Sequence, residues 1–204
     1  MKKVTLIAFV LFIGLITSQA QVKVSPGLRG GLNLSTLSNI EGNSYNSNFY
    51  IGGLASIKFN KYFTLQPELS YSKQGTDAVY FDYDNNGNYQ TFDTTYDLDY
   101  VSLDVVAKFH FGGGGFHLLG GPFFDLKTND NFNYSSDLVD FDMGIVAGVG
   151  YTLPNGLTFE ARLKQGFIDI YGFEGIDDYN ENGNYDEVIL NNVFQFGVSY
   201  TFKM

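Results

Sequence analysis

Val193 to Phe202 reads VFQFGVSYTF. Phe194, Phe196, Val198, Tyr200 and Phe202 fall on one side of an extended chain, and Gln195, Gly197, Ser199 and Thr201 on the other. Alternation with a period of two marks a β-strand with one apolar face. That face can look inward to a soluble core or outward to lipid. What the opposite face carries decides between them.

Seven further stretches repeat the pattern. Gly27 to Ser35 sets Leu28, Leu32 and Leu34 against Arg29, Asn33 and Ser35. Tyr50 to Phe59 sets Ile51, Ala55 and Ile57 against Ser56 and Lys58, and Phe63 to Ser72 sets Leu65, Leu69 and Tyr71 against Gln66, Glu68 and Ser70. In Tyr100 to Phe111, Val101, Leu103, Val105 and Phe109 oppose Ser102, Asp104, Lys108 and His110. Phe116 to Lys127 is less regular, with His117 and Asp125 on its polar side. Phe141 to Leu153 has Asp142 and three glycines opposite Met143, Ile145, Val149 and Tyr151. Leu157 to Lys164 places Glu160, Arg162 and Lys164 opposite Phe159 and Leu163.

The connections alternate in length. Asn60–Tyr62, Gly112–Gly115 and Pro154–Gly156 are tight, while those near residues 36–49, 73–96, 128–138 and 172–190 are long and polar. Short turns at one end and long loops at the other describe an all-β, eight-stranded antiparallel up-and-down transmembrane barrel. Strands of this length suit a tilted bilayer crossing. A soluble sandwich or lipocalin-like barrel would show the same alternation with the faces reversed.

Charge favours the membrane. The polar faces carry Arg29, Lys58, Lys108, Arg162 and Lys164 against Glu68, Asp104, Asp125, Asp142 and Glu160, five of each sign. A balanced set is expected of ion pairs packed in a narrow lumen, because a buried charge must be paired. A solvated face has no reason to balance. Aromatic residues near strand ends, such as Phe59, Phe63, Phe111, Phe116 and Tyr151, suit headgroup girdles.

The remaining composition agrees. The chain has 204 residues, 24 of them Gly, with 20 Phe, 15 Tyr and neither Cys nor Trp. Residues 1–20 read as a secretory signal peptide: Lys2 and Lys3, an apolar run Val4 to Ile16, then Ser18-Gln19-Ala20 as the cleavage site. That run falls short of the roughly 20 residues of a spanning helix. Residues 21–204 then form the barrel domain, with no cysteine for a lipid anchor or a disulfide. Without Lys2 and Lys3, 10 basic residues face 22 acidic ones, a net charge of −12 that argues against nucleic acid as a partner.

The chain also resembles the PorT-type outer-membrane β-barrel family of Bacteroidota-like bacteria. The likeness rests on GLRGGLNLS (Gly27–Ser35), FTLQPELSYSKQG (Phe63–Gly75), YVSLDVVAKFHF (Tyr100–Phe111) and the closing SYTF (Ser199–Phe202), and is most specific at Leu65-Gln66-Pro67-Glu68-Leu69. Asp104 stands where that family often has proline, and Lys203-Met204 extends past its usual terminal aromatic. The resemblance implies an eight-stranded outer-membrane barrel delivered by barrel-insertion machinery. It implies little about activity, since one fold hosts many functions.

No motif calls for catalysis. His110 and His117 flank a turn, so both are expected at the rim opposite the long loops, and the Gly112–Gly115 run lacks the helix and Gly-Lys-Ser/Thr of a phosphate loop. Eight strands leave a lumen that side chains fill, so a narrow channel for small solutes is the second reading and a non-enzymatic structural or interaction role the first. The acidic, Tyr- and Asn-rich loops suit adaptable contact with an extracellular or cell-envelope protein, and lie among outer-membrane lipid and lipopolysaccharide.

Two near-copies, DYDNNGNY (Asp82–Tyr89) and DYNENGNY (Asp178–Tyr185), fall in the second and fourth long loops. Calcium loops alternate oxygen ligands, turn at a glycine and close on a later acid. Asp82, Asp84, Asn86 and Asp93 meet that spacing; Asp178, Asn180, Asn182 and Asp186 meet it in part. No other cofactor is implied. Asn-Gly is also a strong hairpin turn by itself.

Overall fold

Eight antiparallel strands close into one barrel: β1 Lys23–Leu37, β2 Ser44–Lys58, β3 Phe63–Tyr83, β4 Tyr89–His110, β5 Phe116–Asp130, β6 Phe141–Thr152, β7 Leu157–Gly166 and β8 Asn191–Thr201. Each pairs with its sequence neighbours, and β1 meets β8 from Gly27↔Thr201 to Leu37↔Asn191, so the sheet has no free edge within the ring. The computed structural model describes residues 22–39, 43–83, 89–131, 138–170 and 188–202. The expected signal peptide, residues 1–20, lies outside the described residues.

The barrel is inside out relative to a soluble protein. Leu28, Ile51 and Phe196 are each more than half exposed, whereas Glu68, Arg162 and Lys164 retain 2%, 3% and 1% of their surface. The opening stretch follows the rule: Phe194, Phe196, Val198 and Tyr200 point out, and Gln195 and Ser199 are buried. Such an exterior is stable only against lipid, since a soluble monomer rarely exposes large contiguous apolar patches.

At one end the turns are short. Asn60 accepts from the amides of Tyr62 (2.8 Å) and Phe63 (2.9 Å) through its side-chain oxygen, closing the β2–β3 turn as an Asx motif. Gly156, at φ 96°, takes a conformation that costs a side chain dearly and lets its amide reach the Leu153 carbonyl at 3.0 Å. Single-turn β5 entry follows a short 3₁₀ segment, Phe111–Gly113.

The other end departs from expectation. Of the expected loop 73–96, the described residues 73–83 and 89–96 are strand. β3 and β4 stay paired through Asp82↔Gln90 and Tyr83↔Tyr89, making a ribbon of 21 and 22 residues that outreaches its neighbours. A ribbon standing in water needs no apolar face, so the polarity that reads as a loop is compatible with strand. Gly75, at φ 140°, sits where the ribbon leaves the barrel, and a Cβ there would collide with the Tyr96 carbonyl. Leu37, Leu98, Tyr100, Leu138 and Ile170 form a small buried apolar cluster at the same end.

Candidate functional site

The lumen holds a layered charge network. Arg162 on β7 crosses to β3, on the opposite side of the ring, and donates to both oxygens of Glu68 at 2.8 and 2.7 Å. Its Nε and Nη2 also donate to Glu160 Oε2 at 3.0 and 2.6 Å. Arg29 on β1 pairs with the same Glu68, lies 3.6 Å from Asp104, and stacks on the Tyr50 ring at 4.6 Å. Planar guanidinium forks suit such bidentate carboxylate contacts.

Above this, Lys164 reaches Asp125 at 3.0 Å and Asp104 at 3.3 Å, with its ammonium 4.1 Å from the centre of the Phe123 ring. Below it, Lys108 meets Glu160 at 2.5 Å. Amides knit the rest: Gln66 donates to Glu68 (2.7 Å), Gln195 to Asn33 (3.0 Å) and Asn33 to Ser72 (2.9 Å). Fully partnered charges and amides of this kind rigidify a lumen as much as an apolar core would.

Eight of the ten expected lumen residues are brought together: Arg29, Glu68, Asp104, Lys108, Asp125, Glu160, Arg162 and Lys164. Two depart. Lys58 faces the lumen side but lies at its short-turn mouth, exposed and with no ion pair among the described residues. Asp142 is buried, yet its Oδ1 accepts from the Ile168 amide at 3.2 Å and no cation among the described residues reaches it. The buried set is therefore four cations and five carboxylates.

The histidines are ladder partners beside the short turn, as expected, and differ in burial. His110 stays at the rim, its Nε2 3.2 Å from the Thr64 hydroxyl. His117 is fully buried, 3.3 Å from Glu160 and 3.1 Å from the Gly115 carbonyl. Its ring fits because Gly150 stands beside it, where a Cβ would approach Nε2 to 2.6 Å. The two rings lie 5.0 Å apart.

At the long-loop end, sequence reasoning missed several staples. Lys73 pairs with Asp97 at 3.0 Å and Lys127 with Asp130 at 3.0 Å. The close spacing of Lys127 and Asp130 is a signal available in the sequence, whereas Lys73 and Asp97 meet only through the β3–β4 pairing. The Ser38 hydroxyl accepts from the Leu190 amide at 2.8 Å, and Asn39 donates to the Val188 carbonyl at 2.9 Å, tying the first loop to the last. These contacts join segments some 150 positions apart and leave no sequence signal.

Of the expected calcium ligands, Asp84, Asn86, Asp178, Asn180, Asn182 and Asp186 lie outside the described residues. Asp82 is in β3 opposite Gln90; Asp93 is exposed in β4 opposite Val79, inside the ribbon rather than in a loop. Among the described residues no three His, Cys, Asp or Glu side chains group as metal ligands would.

A closed barrel with an apolar exterior and a charge-filled lumen is a transmembrane β-barrel. Residues 19–172 match the family model of the outer membrane protein beta-barrel domain, and the chain belongs to that family. It is a protein of the bacterial outer membrane. By the usual topology of such barrels the short turns face the periplasm and the long loops the exterior. Among solved structures, Neisserial surface protein A is 13% identical (88% of this chain, 97% of that chain, TM-score 0.47). OprG from Pseudomonas aeruginosa is 11% identical (91% and 99%, TM-score 0.47), and Ail from Yersinia pestis 11% (88% and 99%, TM-score 0.45). No curated protein matches the chain at a significant level.

Proposed function

We propose that this barrel is a non-enzymatic, non-conducting outer-membrane protein that acts through its outer face, in a structural or interaction role. The observation that carries this reading is the Arg162 crossbar, which ties β7 to β3 through Glu68 and fills the middle of the lumen with partnered charge. A solute path would have to break several buried ion pairs. The projecting β3–β4 ribbon and the acidic, Tyr- and Asn-rich loops are then the working surface, toward an extracellular or cell-envelope protein. Divalent cations, calcium foremost, bridge those acidic loops to anionic lipopolysaccharide in the same reading. The PorT-type resemblance is consistent with it.

Planar-bilayer recording tests the closed lumen: the purified barrel stays silent, and reproducible single-channel openings would replace this reading with the narrow channel. Calorimetric titration with calcium, on the wild type and on Asp82→Ala with Asp84→Ala, tests the cation. Heat in the wild type that the double substitution removes supports it, and no heat in the wild type ends it. Crosslinking on intact cells, with and without the ribbon tip, tests the partner.

A further inference from the structure

The periplasmic mouth holds a cavity of about 480 Å³, below the charge network and ringed by the short turns. Its size falls within the roughly 300–1,000 Å³ of small-molecule sites. In a protein with a net charge of −10 its lining is the reverse of the whole: Lys23, Lys58, Lys108 and His110 contribute, and no Asp or Glu among the described residues does.

The placement is set by register. Lys23 is the direct partner of Lys58, Lys58 of Thr64, and Thr64 of Lys108. Four neighbouring strands thus present lysine, lysine, threonine and lysine along one ladder row, about 4.8 Å apart. All four share the strand face of the buried residues Ser25, Gln66 and Val106, so the row looks into the lumen rather than at the bilayer. Lys108 is held by Glu160 at the floor, whereas Lys23 and Lys58 have no carboxylate partner among the described residues. Like charges directly opposite one another on paired strands destabilise a sheet. An ion pair on either neighbour would relieve this, and none is found there among the described residues. Thr64, Thr158 and Gln66 add neutral hydrogen-bonding groups to the same wall.

We propose that this vestibule binds a small soluble polyanion, a phosphate ester or polycarboxylate of the periplasm, seated between Lys23 and Lys58 and reaching toward Thr64. Charge-assisted hydrogen bonds from two ammonium groups supply the attraction, and the hydroxyl fixes orientation. The row faces the lumen, so an anion dissolved in the periplasm reaches it through the open mouth. The ligand enters from the periplasm and stops at Arg162 and Glu68, so the site is a blind pocket and not a passage.

The test is calorimetric titration of the full barrel, folded in non-ionic detergent, with inorganic phosphate and with citrate against a chloride background. Saturable binding of either is expected, and the tighter of the two arms identifies the anionic group. Lys23→Gln and Lys58→Gln each weaken it on the order of tenfold. Lys61→Gln, the same charge change on the adjacent turn outside the cavity, leaves it unchanged. In the absence of anion, Lys58→Gln raises the thermal midpoint, because it removes the like-charge pair. Binding no stronger than chloride overturns the proposal, as does an equal loss in Lys61→Gln. Neither result bears on bilayer conductance or on the outer loops.

Discussion

Arg162 grips Glu68 with two parallel hydrogen bonds across the full width of the barrel, 94 positions apart in sequence. The pair works as a tie rod between opposite walls. Arg29 also pairs with Glu68, and Lys108 with the Glu160 that Arg162 holds on its other side, so neither carboxylate faces a single cation.

Removing one member should therefore cost far more than the pair is worth. Arg162→Ala takes the shared cation from Glu68 and Glu160, leaving them Arg29 and Lys108 alone, and breaking a buried pair this way costs about 3–5 kcal/mol. Urea unfolding followed by the heat-modifiable gel shift measures it. Arg162→Met with Glu68→Met recovers most of that loss, because the desolvation burden leaves with the charges.

Asp142 predicts the opposite sign. It is buried, faces no cation among the described residues, and sits directly across from Asp125. Asp142→Asn keeps an acceptor for the Ile168 amide and removes a like charge, so stability rises by about 1 kcal/mol. The same unfolding assay reads it, and a fall in the midpoint would contradict the assignment.

Gly197 lies against the Tyr50 hydroxyl, and a Cβ there would overlap it. Gly197→Ala pushes the Tyr50 ring off Arg29 and overpacks the lumen, for a loss of about 1–3 kcal/mol. Adding Tyr50→Phe restores part of the space, so the double variant is more stable than the single one.

Gly75 controls the ribbon alone. Its φ of 140° and the adjacent Tyr96 carbonyl leave no room for a side chain. Gly75→Ala costs about 1 kcal/mol or more locally, and shows as faster protease cleavage of the β3–β4 ribbon while the heat-modifiable core persists.

Much of this was legible beforehand. Alternation in VFQFGVSYTF and its seven counterparts placed every strand, and charge balance on the polar faces set the apolar side outward. What alternation reports is the face, not the depth. Lys58 and Lys108 occupy the same face, yet one stands at the mouth and the other at the floor. His117 keeps its expected place beside the short turn, opposite His110, yet is fully buried in the space that Gly150 leaves. Depth depends on strand tilt and on neighbours brought from other strands, and neither is local. The ribbon was missed because polarity on both faces reads alike for a loop and for strands standing in water.

The closing β1–β8 seam has a consequence for biogenesis. The first strand can finish its hydrogen bonding only when the last has been delivered, and the cations that answer Glu68 and Asp104 include Arg162 and Lys164 from the seventh. Contacts this remote make folding slow and expose half-built species. A fragment ending after β4 keeps two open sheet edges and holds Glu68, Asp104 and Lys108 without the Glu160, Arg162 and Lys164 that answer them. The barrel should accordingly insert as a whole, with its N-terminal half kept waiting on a chaperone or on the insertion machinery until the final strand arrives.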